Sequence, residues 1–225
     1  MKVVKIKQFK ARCSGINEVM ANGRGKGTMG ATCKSHLKKW LIQQVTGIKK
    51  DAWSKEMEKG VFCESDAIEL AGQHYGWFMP QKNTKRRTND FLTGEADVVL
   101  PKCIADIKCP WDVYTFPNFD SKIPVKGYEQ QLQGYCELWD KPTGQLTYVL
   151  VDTPEELDPY NTCAQPEEGY DSWKLHERIR SYTVERDMEF MEAVRDRVHE
   201  CRVELQNEII PELEEWKKIK IEIES

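Results

Sequence analysis

The chain has 225 residues, 40% hydrophobic and 31% charged, with a formal net charge of −4. That length can bury a proper core, and the balance is that of an ordinary soluble protein rather than a polybasic chain that coats polyanions. No run approaches the roughly 18 apolar residues of a membrane span. The opening MKVVKIKQFK has no apolar signal core, so a cytoplasmic location without a membrane partner is expected.

Residues 1–13 read as a basic and apolar lead-in, after which Ser14 and Asn17 can cap a short helix. Residues 22–27, NGRGKG, form a flexible loop. A helix is predicted over about 30–45, with Leu37, Trp40, Leu41 and Val45 at helical spacing and Gly47 ending it. A second helix runs over about 54–75. Met57, Val61, Glu64, Ile68 and Ala71 share one of its stripes, so Glu64 is an acid on an apolar face. It either pairs with a core arginine or reaches a metal. Three basic stretches follow one another at 24–26, 34–39 and 82–87. Each is an ordinary solvated surface or a phosphate contact. The third, with Lys85, Arg86 and Arg87, is the best candidate for such a contact, because it precedes the segment next described.

Residues 93–110 read TGEADVVLPKCIADIKCP. Strands over 98–100 and 103–105 are joined by a turn at Pro101-Lys102. A hairpin centred there sets Leu100 against Cys103, Val99 against Ile104, Val98 against Ala105 and Asp97 against Asp106. Opposed residues share a face with Cβ atoms roughly 5 Å apart, and Lys108 lies on that face too. Two carboxylates forced so close repel unless a divalent cation sits between them. Mg²⁺ prefers such oxygen ligands; it polarises a scissile phosphate and activates a bound water, while a lysine neutralises developing charge. The competing reading is a surface hairpin with a cross-strand salt bridge among Asp97, Asp106 and Lys108.

Residues 111–123 are irregular, with Pro110, Pro117 and Pro124 as breakers. Trp111, Tyr114, Phe116 and Phe119 in this loop either stack on unpaired bases or pack it down, and packing is preferred. Helix 126–139 carries Gln131 and Tyr135 on one face. Residues 145–152 read as a buried central strand, 153–172 as an acidic loop, and 178–185 as an edge strand. A long helix covers about 186–210; Pro211 breaks or kinks it, and 212–225 is a short helix or a fraying end. The eight cysteines, Cys13, Cys33, Cys63, Cys103, Cys109, Cys136, Cys163 and Cys201, show no CxxC or zinc spacing and read as free, buried thiols. The whole describes one domain over 1–225, a three-layer α/β/α fold with a mixed central sheet and a core over about 54–152.

Four blocks in order add a resemblance: Arg12-Cys13-Ser14-Gly15-Ile16; Gly60 to Ala67 around Glu64; Ile104-Ala105-Asp106-Ile107-Lys108-Cys109-Pro110; and Tyr128 to Tyr135 around Gln131. Together they resemble the PD-(D/E)xK nuclease superfamily, and within it the lambda exonuclease and YqaJ-like viral recombinase branch. Asp106 stands where lambda exonuclease has Glu, a choice the superfamily pattern allows. The resemblance implies a restriction-endonuclease-like core and a 5′→3′ exonuclease on linear double-stranded DNA. Asp97, Asp106, the Ile107 carbonyl and Glu64 would hold Mg²⁺, with Mn²⁺ as substitute. Lys108 would position or activate the attacking water and Gln131 would support the arrangement. Arg12 and Ser14 would bind a terminal phosphate, and Tyr135 would contact a phosphate or pack nearby. An iron–sulfur cluster is not expected, because the late cysteines are isolated. A single-strand annealing protein as partner, a trimeric homo-oligomer, and phage-type recombination in a phage or bacterial host cell are further implications. A restriction- or repair-type endonuclease and a non-catalytic DNA-binding protein are the alternatives.

Overall fold

The computed structural model describes residues 2–25, 27–50, 54–160 and 162–224. In chain order the elements are β1 (Lys2–Lys7), β2 (Ala11–Arg12), α1 (Ile16–Val19), α2 (Ala31–Thr46) and α3 (Lys55–Tyr75). Then come β3 (Arg87–Thr88), β4 (Leu92–Gly94), β5 (Val98–Val99), β6 (Cys103–Lys108), α4 (Lys126–Trp139) and β7 (Thr143–Val149). The last are β8 (Ile179–Glu185), α5 (Met188–Glu204), α6 (Ile210–Lys217) and β9 (Ile219–Glu224).

The central sheet has the order β5-β6-β7-β8, with β6 and β7 parallel and both outer pairs antiparallel. It is the mixed sheet expected. The β5–β6 hairpin has the predicted register, Val98 opposite Ala105 and Val99 opposite Ile104. Alternation sends Ala105 and Ile107 toward α3, where they pack with Val98, Cys63, Ala67, Ile68 and Ala71. Asp106 and Lys108 therefore face the other layer, where Leu132 of α4 packs on Leu146 and Leu150. The three layers are thus α3, sheet and α4. Helix α3 starts where the Ser54 hydroxyl accepts the Met57 N–H and stops at Gly76, whose φ of 67° suits only glycine well.

A second sheet, β2-β4-β3, lies beside α4. Two glycines let it come close. A Cβ on Gly94 would sit 2.6 Å from Cys13 Sγ and 2.9 Å from Tyr135 Cε1, and one on Gly134 would sit 2.9 Å from the same sulfur. Cys13 is therefore held between β4 and α4. All eight cysteines are free thiols; six are buried and Cys103 and Cys109 half-buried.

Several expectations are corrected. The basic and apolar lead-in holds two strands: β1 pairs in parallel with β9, and β2 joins the second sheet. Of the two readings for 212–225 the short helix holds as far as Lys217, and the chain then turns at Lys218 into β9. Helix α2 runs to Thr46, one residue beyond the expected end, before Gly47 caps it. Pro211 does not stop the long helix. A π-helical turn over Leu205–Ile209 joins α5 to α6 and leaves Pro211 in a first turn, where its missing N–H costs nothing. No side chain caps α1, because the chain enters it from a 3₁₀ turn over Cys13–Gly15. The 22–27 loop is tied by an Asn22–Met29 bridge, and Lys26 lies outside the described residues.

In the 111–123 loop the packing expectation holds for Phe116, which is buried, but not for Tyr114 and Phe119, which are 85% and 98% exposed. The loop is bolted down at Trp111, whose carbonyl accepts from Lys59 Nζ at 2.9 Å, Thr153 Oγ1 at 3.0 Å and Cys163 Sγ at 2.9 Å. Lys59 is wholly buried, with no carboxylate partner among the described residues, and burial lowers the pKa of its ammonium.

Candidate active site

Asp97 and Asp106 are brought together by the hairpin. Asp97 precedes β5, and its Oδ2 accepts the Ile107 N–H at 2.7 Å, replacing the pairing that β5 no longer supplies. Asp106 is 2% exposed. Its Oδ1 accepts from Gln131 Nε2 at 3.1 Å, and its Oδ2 lies 2.7 Å from Lys108 Nζ. Burial pushes the Asp97 carboxyl up to about 8, and the charges of Asp106 and Glu64 add to this. Lys108 and the Ile107 N–H pull the other way without prevailing. For Lys108, burial disfavours the ammonium, but Asp106 and Asp97 outweigh it and hold the group above its ordinary range. Lys108 is thus a fixed cation, seated 4.7 Å over the Tyr128 ring.

Gln131 and Tyr135 are one turn apart on α4, and Gln131 Nε2 also donates to the Tyr135 hydroxyl at 2.8 Å. Tyr135 is buried, stacks edge-on against Trp139, and keeps its proton because burial and then Asp106 raise its pKa. Its place is inside the site, beneath Gly94, rather than on an outer phosphate-binding surface.

Glu64 comes from α3, on the opposite side of the sheet. Its partner is not a core arginine: Lys82 Nζ meets Glu64 Oε2 at 2.5 Å. Lys82 sits there because its neighbour Asn83 is fastened to the Asp97 segment, through Asn83 N–H to the Asp97 carbonyl at 2.7 Å and Asn83 Nδ2 to the Ala96 carbonyl at 2.8 Å. Sequence reasoning counted Lys82 only as one charge in a basic run; the run itself was the signal.

The remaining candidates lie on the second sheet and its flanks. Arg12 is exposed and paired with Thr93 on the strand that leads into Asp97; Ser14 is exposed in the adjoining 3₁₀ turn. Lys85 is exposed, and Arg86 pairs with Glu95 at 3.3 Å. Arg87 is a brace: its guanidinium donates to the Leu138 carbonyl at 3.2 Å and lies 5.5 Å over the Trp139 ring. The pairing of β3 with β4 sets it beside α4, while the residue itself stays exposed.

Two observations bear on a metal. Among the described residues, no three Asp, Glu, His or Cys side chains are gathered tightly enough to hold an ion by themselves. Asp106 Oδ2 is buried, and among the described residues the Lys108 ammonium at 2.7 Å is its charged neighbour. A hard cation that takes two carboxylates plus peptide and water oxygens fits this crowded pair of acids and the raised pKa of Asp97. The Ile107 peptide is suitably turned: its N–H faces the β5 side, and in a strand the carbonyl of the same residue faces that side as well.

A mixed four-stranded sheet with an acid before one strand and an Asp-x-Lys on the next defines a nuclease of the restriction-endonuclease-like class. No family model matches the chain, and no curated protein matches it. Among solved structures, a phage-related exonuclease from Haemophilus somnus 129PT is 30% identical, with a TM-score of 0.77 over 87% of this chain and 92% of that one. An alkaline exonuclease from Laribacter hongkongensis shares the fold at 16% identity, with a TM-score of 0.66 over 93% of this chain and 94% of that one. The chain belongs to the lambda exonuclease and YqaJ-like branch of the PD-(D/E)xK nucleases.

Proposed function

We propose that the protein is a metal-dependent DNA exonuclease that hydrolyses phosphodiester bonds of linear double-stranded DNA from a 5′ end in phage-type recombination. The observation that carries the reading is the buried Asp106, bonded to Gln131, countered by Lys108 and crowded by an Asp97 whose carboxyl resists ionisation. Asp97, Asp106, the Ile107 carbonyl and Glu64 would hold Mg²⁺ or Mn²⁺, which when bound supplies Lewis-acid polarisation of the phosphate and a more acidic water. Lys108 orients the attacking water and offsets charge that develops on the phosphate. Gln131 fixes the rotamer of Asp106, and Tyr135 fixes Gln131. Arg12 offers a fork of donors for a terminal phosphate, with Ser14 beside it. The Laribacter relative is solved with dAMP, a mononucleotide of the kind an exonuclease releases. An annealing protein and a ring of subunits, trimeric by family likeness, belong to the same reading.

The test is digestion of linear and covalently closed circular duplex DNA with Mg²⁺, beside an EDTA control, the linear form labelled at either end. Loss of the linear form alone with early release of 5′ label is expected. Cutting of the circle would replace the reading with an endonuclease, and no cutting that depends on metal would overturn it.

A further inference from the structure

Lys82 stands apart from the residues so far given a role. Its backbone is fixed, because Asn83 is hydrogen-bonded to the carbonyls of Asp97, Ala96 and Lys85. Its side chain is 43% exposed and ends on Glu64, whose own side chain is only 15% exposed. The ammonium also feels Asp97 and Glu95. The arrangement is a cation on a flexible stem, anchored at the rim and reaching inward to a carboxylate of the metal set. The same rim carries two more cations, Lys85 and Arg86, within four residues. Lysine suits this place, being a compact point charge on a mobile chain rather than a rigid fork.

Resting on the nuclease reading above, we propose that Lys82 competes with the divalent cation for Glu64 and, when the cation binds, transfers to a backbone phosphate of the DNA. Both halves follow from charge. While Lys82 neutralises Glu64, the carboxylate is turned toward the rim. A divalent ion drawn to Asp97 and Asp106 attracts Glu64 more strongly than one ammonium does, and repels that ammonium. The freed Lys82 then finds the nearest anion outside the carboxylate cluster, a phosphate of the strand. Metal and DNA thereby bind cooperatively through one side chain, since the metal takes Glu64 from Lys82 and the DNA phosphate gives the freed ammonium a new partner.

The test compares the unaltered protein with Lys82→Ala and Lys82→Arg, each first checked for folding by circular dichroism. Mn²⁺ binding without DNA is titrated by the loss of the free-ion electron paramagnetic resonance signal. Lys82→Ala is expected to bind Mn²⁺ about two- to fivefold more tightly, the size of a partly exposed ion pair that no longer competes. DNA affinity is then measured with Ca²⁺, to suppress cleavage, over a range of salt. The slope of log affinity against log salt is expected to fall by about one in Lys82→Ala, because one phosphate is no longer neutralised. Lys82→Arg restores both readings toward the unaltered values. Unchanged Mn²⁺ affinity in Lys82→Ala, or an unchanged salt slope, overturns the proposal alone. Failure of the unaltered protein to bind any Mn²⁺ overturns the metal-dependent reading and the proposal with it.

Discussion

Asp97→Asn should make the metal-free protein more stable while abolishing its cleavage of DNA. The asparagine keeps an oxygen for the Ile107 N–H, so the hydrogen bond at 2.7 Å survives. What disappears is a charge that the fold disfavours. The carboxyl is raised from the ordinary 3.8 to about 8, chiefly by burial and then by Asp106. A raised pKa means that the folded state holds the proton more tightly than the unfolded chain. The stability so contributed is complete below about pH 4 and is lost as pH rises through about 8. The ceiling on that loss is about 6 kcal/mol, at roughly 1.4 kcal/mol per pH unit. Asp97 is not sealed from solvent, and screening reduces the figure to about 3 kcal/mol. In a chain of this size that is roughly 6–12 °C in Tm. The assay is urea and thermal unfolding in EDTA at pH 4, 7 and 9, followed by circular dichroism. The two proteins should be nearly equal at pH 4 and farthest apart at pH 9. A variant no more stable than the unaltered protein at pH 9, or a gap that does not widen with pH, would refute the reasoning. Adding Mg²⁺ at pH 9 should stabilise the unaltered protein and not the variant.

Gln131→Leu should leave the fold intact and lower turnover about 10–100-fold, the usual cost of removing a partner that orients a metal-binding carboxylate, as read from steady-state rates. Gly94→Ala should destabilise by about 1–3 kcal/mol in urea titration, because its methyl group would drive Cys13 and Tyr135 apart. Arg12→Ala should erase the preference for 5′-phosphorylated over 5′-hydroxyl ends, a loss of about 1.5–3 kcal/mol for a charged hydrogen bond, while internal contacts keep binding measurable. Lys59→Met should change stability by less than about 1 kcal/mol in either direction, since the Trp111 carbonyl keeps Thr153 and Cys163 as donors and a buried charge is removed.

The hairpin was readable because a period of two and a two-residue turn leave one register, and that register puts Asp97, Asp106 and Lys108 on one face. Glu64 was picked out as an acid in an apolar stripe, but Met57 and Val61 of that stripe are exposed and the buried face of α3 runs through Lys59, Cys63, Ala67, Ile68 and Ala71; the partner of Glu64 was not readable. Lys82 is eighteen residues away on a loop with no period, and only the clamp at Asn83 brings it in. Arg87 and Arg86 look alike in sequence. Arg87, the first residue of β3, braces α4, and Arg86, which precedes the strand, pairs with Glu95. The Tyr114, Phe116 and Phe119 set could not be sorted into packed and exposed without the loop's own hydrogen bonds. The role of Pro211 was missed because a π turn leaves no mark in the pattern of apolar residues. Strands β1 and β9 escaped notice for a different reason: each is a short Lys- or Glu-rich alternation that becomes a strand only against the other.

That last pair has a kinetic consequence. Lys2 lies opposite Ile219 and Lys7 opposite Glu224, segments more than two hundred residues apart. Joining them by diffusion of a loose chain would cost about 5 kcal/mol in loop closure, more than one short two-stranded ribbon returns. The pairing therefore waits until α2, α5 and the core between them have drawn Ile6 and Ile221 into the same cluster. The hairpin that carries Asp97 and Asp106 closes over a handful of residues and has no reason to wait. In a refolding experiment the chemistry-bearing region should be assembled early, and the amides of β1 and β9 should be the last to gain protection from exchange.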